Sequence, residues 1–269
     1  MMQIIVPTDF SKPAAQALAF AAELATHTNS SILLLHMLPN VGPTLGRVPT
    51  EHWKVEMEEQ AAASLQELKQ PLEQRGIAVA VSIIHDTTVA EALDDLPSGD
   101  VTQLVVMGTK GASGLKKILL GSNTVDVINQ CCIPVIVVPE NAMAGPIDTL
   151  LCATDLEHTL QEMKLLLPYA EEFKASIHLI HVQQSNRLAP EAISIQALQQ
   201  EAGTIPVSFE MIAGSDLAET LERFKAEKPA ALLVMFTHTI GFFDQIFQRS
   251  LVREIAWHGT IPLLVIKNS

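Results

Sequence analysis

Four landmarks recur in the same order along the 269 residues of this chain. The segment IIVPTDFS at 4–11 returns as LLCATDLE at 150–157, and SILLLHM at 31–37 returns as SIHLIHV at 176–182. TVAEAL at 88–93 is matched by DLAETL at 216–221, and CIPVIVV at 132–138 by TIPLLVI at 260–266. Matched landmarks in one order mark a duplicated unit, so whatever one copy folds into, the chain must hold two of them. The interval between copies shrinks from 146 residues at Asp9 and Asp155 to 128 at Pro134 and Pro262, which places a deletion between the second and third strands of the second copy. There the first copy carries a long connection, 39–50, followed by a helical pattern over 51–74. The stretch 140–146 has turn residues and no hydrophobic period, so the expected domains are 1–140 and 147–269.

Within each copy, short apolar runs alternate with amphipathic helical patterns. In the first, strands are expected at 3–6, 31–38, 79–84, 104–107 and 135–138, with helices near 12–28, 51–75, 88–97 and 122–131. Strands that are apolar on both faces and separated by helices imply a parallel sheet covered on both sides. Right-handed crossovers then give two tandem, doubly wound, five-stranded α/β units of Rossmann-like form. In such sheets a ligand sits at the carboxyl ends of the strands where the winding reverses. A reversal between strands one and four would bring Asp9 and Gly108 to one crevice.

The stretch MGTKGASGLKKILLGSNT at 107–124 sets Gly108, Gly111 and Gly121 between an apolar strand and a helix. Glycines let backbone N–H groups approach an anion closely, and the helix opening at Ser122 turns its positive end toward that loop. The pattern is neither a Walker A loop nor the dinucleotide fingerprint. In the second copy the same place reads MFTHTIGFFDQIFQRS at 235–250, with Phe236, Thr239 and Arg249 opposite the three glycines while Ser250 matches Ser122. A nucleotide is expected in the first copy, and a degenerate structural pocket in the second.

Composition bears on the ligand. A formal net charge of −13 disfavours nucleic acid and anionic membranes, so a phosphate ligand needs a local exception, which Lys110, Lys116 and Lys117 supply. No apolar run reaches the length of a membrane span, and no leader pattern opens the chain. Cys131, Cys132 and Cys152 match no metal or redox spacing, which fits a reducing, cytoplasmic setting.

The VPTDFS motif at 6–11 after strand one, His36-Met37 closing strand two, and Gly108-x2-Gly111-x9-Gly121-Ser122 after strand four together resemble the universal stress protein family, as a tandem pair over essentially the whole chain. The resemblance implies the adenine nucleotide alpha hydrolase-like fold and a cytoplasmic stress-response role, with ATP, ADP or AMP as a regulatory ligand, with or without Mg2+. It places Pro7, Thr8, Asp9 and Met37 around adenine and ribose. Met107, Gly108, Lys110, Gly111, Gly121, Ser122, Asn123 and Thr124 would complete the ribose contacts and hold the phosphates. It also implies that the fifth strands pair within the chain as an internal pseudo-dimer, and leaves a homodimer of the whole chain open. No general base with a positioned nucleophile can be named, so catalysis is not expected. The alternatives are a slow ATPase or adenylyl transferase on the same fold, and a structural interaction module without nucleotide.

Several of these residues also have a purely structural reading. Asp9 could cap the first helix as well as bind ligand, and its recurrence as Asp155 strengthens the capping role. His36 and His181, at the ends of the second strands, read as packed, hydrogen-bonded side chains in preference to metal ligands. His85-Asp86, after strand three, reads as a surface turn in preference to a polar pair at a pocket edge.

Overall fold

The computed structural model describes residues 2–38, 51–97, 101–109, 121–154, 158–183, 195–213, 223–224, 226–228, 231–237 and 261–267. The chain divides into two compact units, Met1–Ile133 and Pro134–Ser269.

The first unit runs β1 (Met2–Pro7), α1 (Lys12–Thr28), β2 (Ser31–Leu38), α2 (Glu51–Gln74), β3 (Val79–His85), α3 (Val89–Asp94), β4 (Thr102–Gly108) and α4 (Ser122–Gln130). Its strands lie in the order β3-β2-β1-β4 with every pair parallel, so the chain winds outward through β2 and β3 and then returns to the far side of β1. The reversal expected between strands one and four is therefore present. Ile4, Ile5 and Val6 of the central β1 are fully buried, as a strand covered on both faces requires. Each such side chain contributes about 1.5–3 kcal/mol on burial.

Helix α1 shows how the sequence sets this packing. Ser11 caps it by accepting the Ala14 N–H at 3.4 Å, Pro13 sits in its first turn, and Asn29 ends it in the left-handed conformation. Its buried residues are Ala14, Ala17, Leu18, Phe20, Ala21, Ala22, Leu24 and Ala25, five of the eight with one-carbon side chains that let the helix axis approach the sheet. The consequence falls on Gly108. A Cβ there would lie 2.6 Å from the Pro13 carbonyl oxygen, so β4 can pass the first turn of α1 only with glycine at this place.

The second unit runs β5 (Val135–Val138), β6 (Thr149–Ala153), α5 (Thr159–Phe173), β7 (Ser176–Gln183), α6 (Ile195–Ala202), β8 (Val207–Ala213), β9 (Ala231–Thr237) and β10 (Leu263–Lys267). Its strand order is β5-β10-β9-β6-β7-β8. The pairs from β10 to β8 are parallel and repeat the winding of the first unit, whereas β5 runs antiparallel to β10 with Val137 opposite Leu263. Thus the fifth strand of the first sequence repeat hydrogen-bonds to the fifth strand of the second. The compact units accordingly part at Ile133/Pro134, upstream of the turn-rich stretch 140–146. Among the described residues, no helix is long and apolar enough to cross a membrane.

Candidate functional site

The carboxyl ends of β1, β2 and β4 and the first turns of α3 and α4 enclose a cleft of about 350 Å³ in the first unit, at the point where the winding reverses. Small-ligand pockets begin at about this size. Pro7, Thr8, Asp9, Met37, Met107, Gly108, Gly121, Ser122, Asn123 and Thr124 all line it. Lys110 and Gly111, with Lys116 and Lys117, fall outside the described residues.

One end of the cleft is built from the turn after β1. The Thr8 N–H donates to the Leu35 carbonyl at 2.8 Å, which ties the end of β1 to β2. Phe10 then takes a left-handed backbone conformation (φ 61°), a costly one for an aromatic residue. It is held there from both sides: its N–H donates to Thr8 Oγ1 at 3.1 Å, and the next N–H, of Ser11, donates to Asp9 Oδ1 at 3.0 Å. Asp9 was expected to cap α1, but that role belongs to Ser11, two residues later. The Asp9 carboxylate instead fixes the turn and stays exposed at the cleft.

The other end is the entry to α4. Gly121 occupies the N-cap position and has no side chain with which to cap, so the first-turn amides are left for solvent or a ligand. Ser122 and Asn123 are exposed there, whereas Thr124 is buried and donates its hydroxyl to the Gly108 carbonyl at 3.0 Å. The Gly121 N–H donates to the Thr109 carbonyl at 2.8 Å. These two bonds bring the residues on either side of 110–120 together.

Three lining residues lay outside the expected set: Ala14, His36 and Val89. His36, expected as a packed, hydrogen-bonded histidine, has its Nδ1 2.8 Å from the Thr8 carbonyl and is also one of the residues that line the cleft. Val89 opens α3 behind the capping box of Thr88 and Glu91, in which the Glu91 carboxylate accepts the Thr88 N–H at 2.9 Å. That bond and those from the Thr88 and Thr87 hydroxyls hold the Glu91 carboxyl below the usual carboxylate range. The T-x-x-E pattern at 88–91 was the available signal, since it fixes where α3 begins at the end of β3. His85 lies at the surface beside Glu58, with Nε2 to Oε2 at 3.7 Å.

Around the corresponding strand ends of the second unit, several of the described side chains are buried. Phe236, which aligns with Gly108, is buried. Thr159, at the start of α5, places its Oγ1 2.7 Å from that of Thr154, and Glu162 lies 3.4 Å from the same Thr154 hydroxyl. All three side chains are buried. Burial pushes the neighbouring Cys152 thiol well up, and Glu162 adds to the effect. Asp155, Thr239, Arg249 and Ser250 fall outside the described residues.

Comparison with known proteins agrees with this architecture. Residues 1–139 match the model of the universal stress protein family. The universal stress protein MJ0577 of Methanocaldococcus jannaschii is 30% identical over 156 aligned positions, covering 51% of this chain and 93% of that protein. A universal stress protein of Mycolicibacterium smegmatis is 23% identical and spans both repeats, covering 98% of this chain and 96% of its own length. A solved universal stress protein from Archaeoglobus fulgidus superposes with a TM-score of 0.71 at 21% identity, over 99% of this chain and 98% of that one, which shows a shared fold. The first-half family match and the architecture of both units give one conclusion: this chain belongs to the universal stress protein family.

Proposed function

We propose that the first repeat, residues 1–140, binds ATP or a related adenine nucleotide as a regulatory ligand, and that the second, residues 147–269, is its structural partner with an altered pocket. One observation carries this reading. A cleft at the switch point has the exposed Asp9 carboxylate and Met37 at one end and the uncapped first turn of α4 at the other. That polarity suits a nucleotide: the carboxylate accepts hydrogen bonds from base or ribose donors, and helix amides receive phosphate oxygens. Lys110, Lys116 and Lys117 would add positive charge to a chain whose net charge is −13.

The test is a thermal-shift or denaturation titration with Mg-ATP, together with chromatography of the small molecules released from denatured protein. Saturation at a hundred times the dissociation constant adds about 2.7 kcal/mol of stability. Gly121→Asp separates binding from folding. Gly121 has φ −55° and ψ 141°, a backbone that aspartate adopts readily, so the new carboxylate caps α4 and gains a few tenths of a kcal/mol in the absence of ligand. It also places negative charge where phosphate would sit, so the ATP-induced shift disappears. No shift with the natural sequence, or an equal shift in the variant, overturns the reading.

A further inference from the structure

We propose that His36 reads the base in this cleft, accepting a hydrogen bond from the 6-amino group of the purine through Nε2. The inference rests on the nucleotide reading above and adds to it the residue that selects a 6-aminopurine.

Three facts fix what His36 can offer. Its Nδ1 lies 2.8 Å from the Thr8 carbonyl, and a carbonyl only accepts, so Nδ1 carries the hydrogen. In the neutral imidazole this leaves Nε2 as an acceptor with a settled role. The ring also packs against Phe10, with centroids 4.5 Å apart and planes 33° from parallel, which holds one face. His36 is among the residues that line the cleft, and with Nδ1 bonded to the Thr8 carbonyl and the ring packed on Phe10, Nε2 is the one polar atom of the ring that those two contacts leave for a ligand.

The second unit separates this role from folding. His181 repeats the bond to the strand-one threonine, with Nδ1 2.9 Å from the Thr154 carbonyl, so that bond belongs to the fold. In the sequence, Leu156 stands where the first copy has Phe10.

The experiment compares ATP with purine riboside triphosphate, which lacks the 6-amino group, by calorimetry. The natural sequence should bind ATP about tenfold more tightly, the worth of one hydrogen bond. In His36→Asn the shorter amide can still donate to the Thr8 carbonyl but has no atom at the Nε2 position. The preference should then fall to near one while the variant keeps its fold by circular dichroism. A preference retained in His36→Asn, an equal weakening of both ligands, or no preference in the natural sequence overturns this inference and leaves nucleotide binding standing. Failure of both ligands to bind the natural sequence overturns the nucleotide reading itself.

Discussion

The two repeats make the same strand-end bonds and differ in what stands beside them. In each, the threonine after the first strand donates its N–H to the second strand, Thr8 to Leu35 and Thr154 to Ile180, and accepts from a histidine two residues from that strand's end or from its equivalent, His36 or His181. Those bonds are common property and belong to folding. Where the first unit has Gly108 against Pro13 and the small Ala14, the second has buried Phe236, Thr159 and Glu162. A fold that keeps its strand ends tied in both copies thus carries small residues beside them in one copy and larger buried ones in the other.

The strongest way to break that contrast is to remove a larger side chain from the second copy. Phe236→Ala removes a buried aromatic from β9 and should destabilise the protein by about 3–5 kcal/mol, read by guanidinium denaturation. Restoring space alone should not create a nucleotide site, because Thr159 and Glu162 remain and no glycine stands opposite Gly111 or Gly121. A loss below about 1.5 kcal/mol, the range of a tolerated core swap, would mean that Phe236 does not fill the second copy's core. A second equivalent of ATP bound by Phe236→Ala in calorimetry, beyond that bound by the natural sequence, would show that one side chain is all that separates the two copies.

The converse change tests why the first copy needs glycine. Gly108→Ala puts a methyl 2.6 Å from the Pro13 carbonyl oxygen and 2.9 Å from its carbon, both backbone atoms, so the first turn of α1 must move. Overpacking of this kind costs about 1–3 kcal/mol. Ala14, next to Pro13, and Asp9, in the turn that leads into α1, line the cleft, so ATP affinity should fall as well. Equal losses of stability with unchanged ATP affinity would assign Gly108 to packing alone. The sequence reads Gly108 as part of an anion-binding loop; the structure adds a packing reason, the close approach of Pro13.

That addition shows which parts of the site the sequence could disclose. Strand ends and their order were legible because apolar periodicity and the repeat both report them, and the winding reversal followed. The expected residues Pro7, Thr8, Met107 and Thr124 meet in one cleft for that reason. What was not legible depends on distances between elements. The Gly108–Pro13 approach joins residues 95 positions apart, and no pattern in either segment marks it. The capping role went to Asp9 in the sequence reading because Asp and Ser are both good caps. Backbone geometry decides between them: Phe10 turns left-handed, which delays the helix until after Ser11.

The gentlest test compares the two equivalent helix ends. Asn29 ends α1 and Lys174 ends α5, both in the left-handed conformation, with φ 52° and 56°. The carbonyls left over at a helix end are met in the same way, since Asn29 donates its N–H to Ala25 and Lys174 donates to Ala170 and Glu171. The residues differ in how well they tolerate that backbone. Asparagine visits it routinely, whereas a lysine Cβ crowds the following carbonyl at a cost of about 1–2 kcal/mol. Glycine removes the crowding but gives the unfolded chain more freedom, which offsets part of the gain. Lys174→Gly should therefore raise stability by about 1 kcal/mol, and Asn29→Gly by distinctly less, in matched urea titrations. Both positions are exposed, so neither change disturbs packing. Equal gains at the two ends would mean that the left-handed turn is no harder on Lys174 than on Asn29.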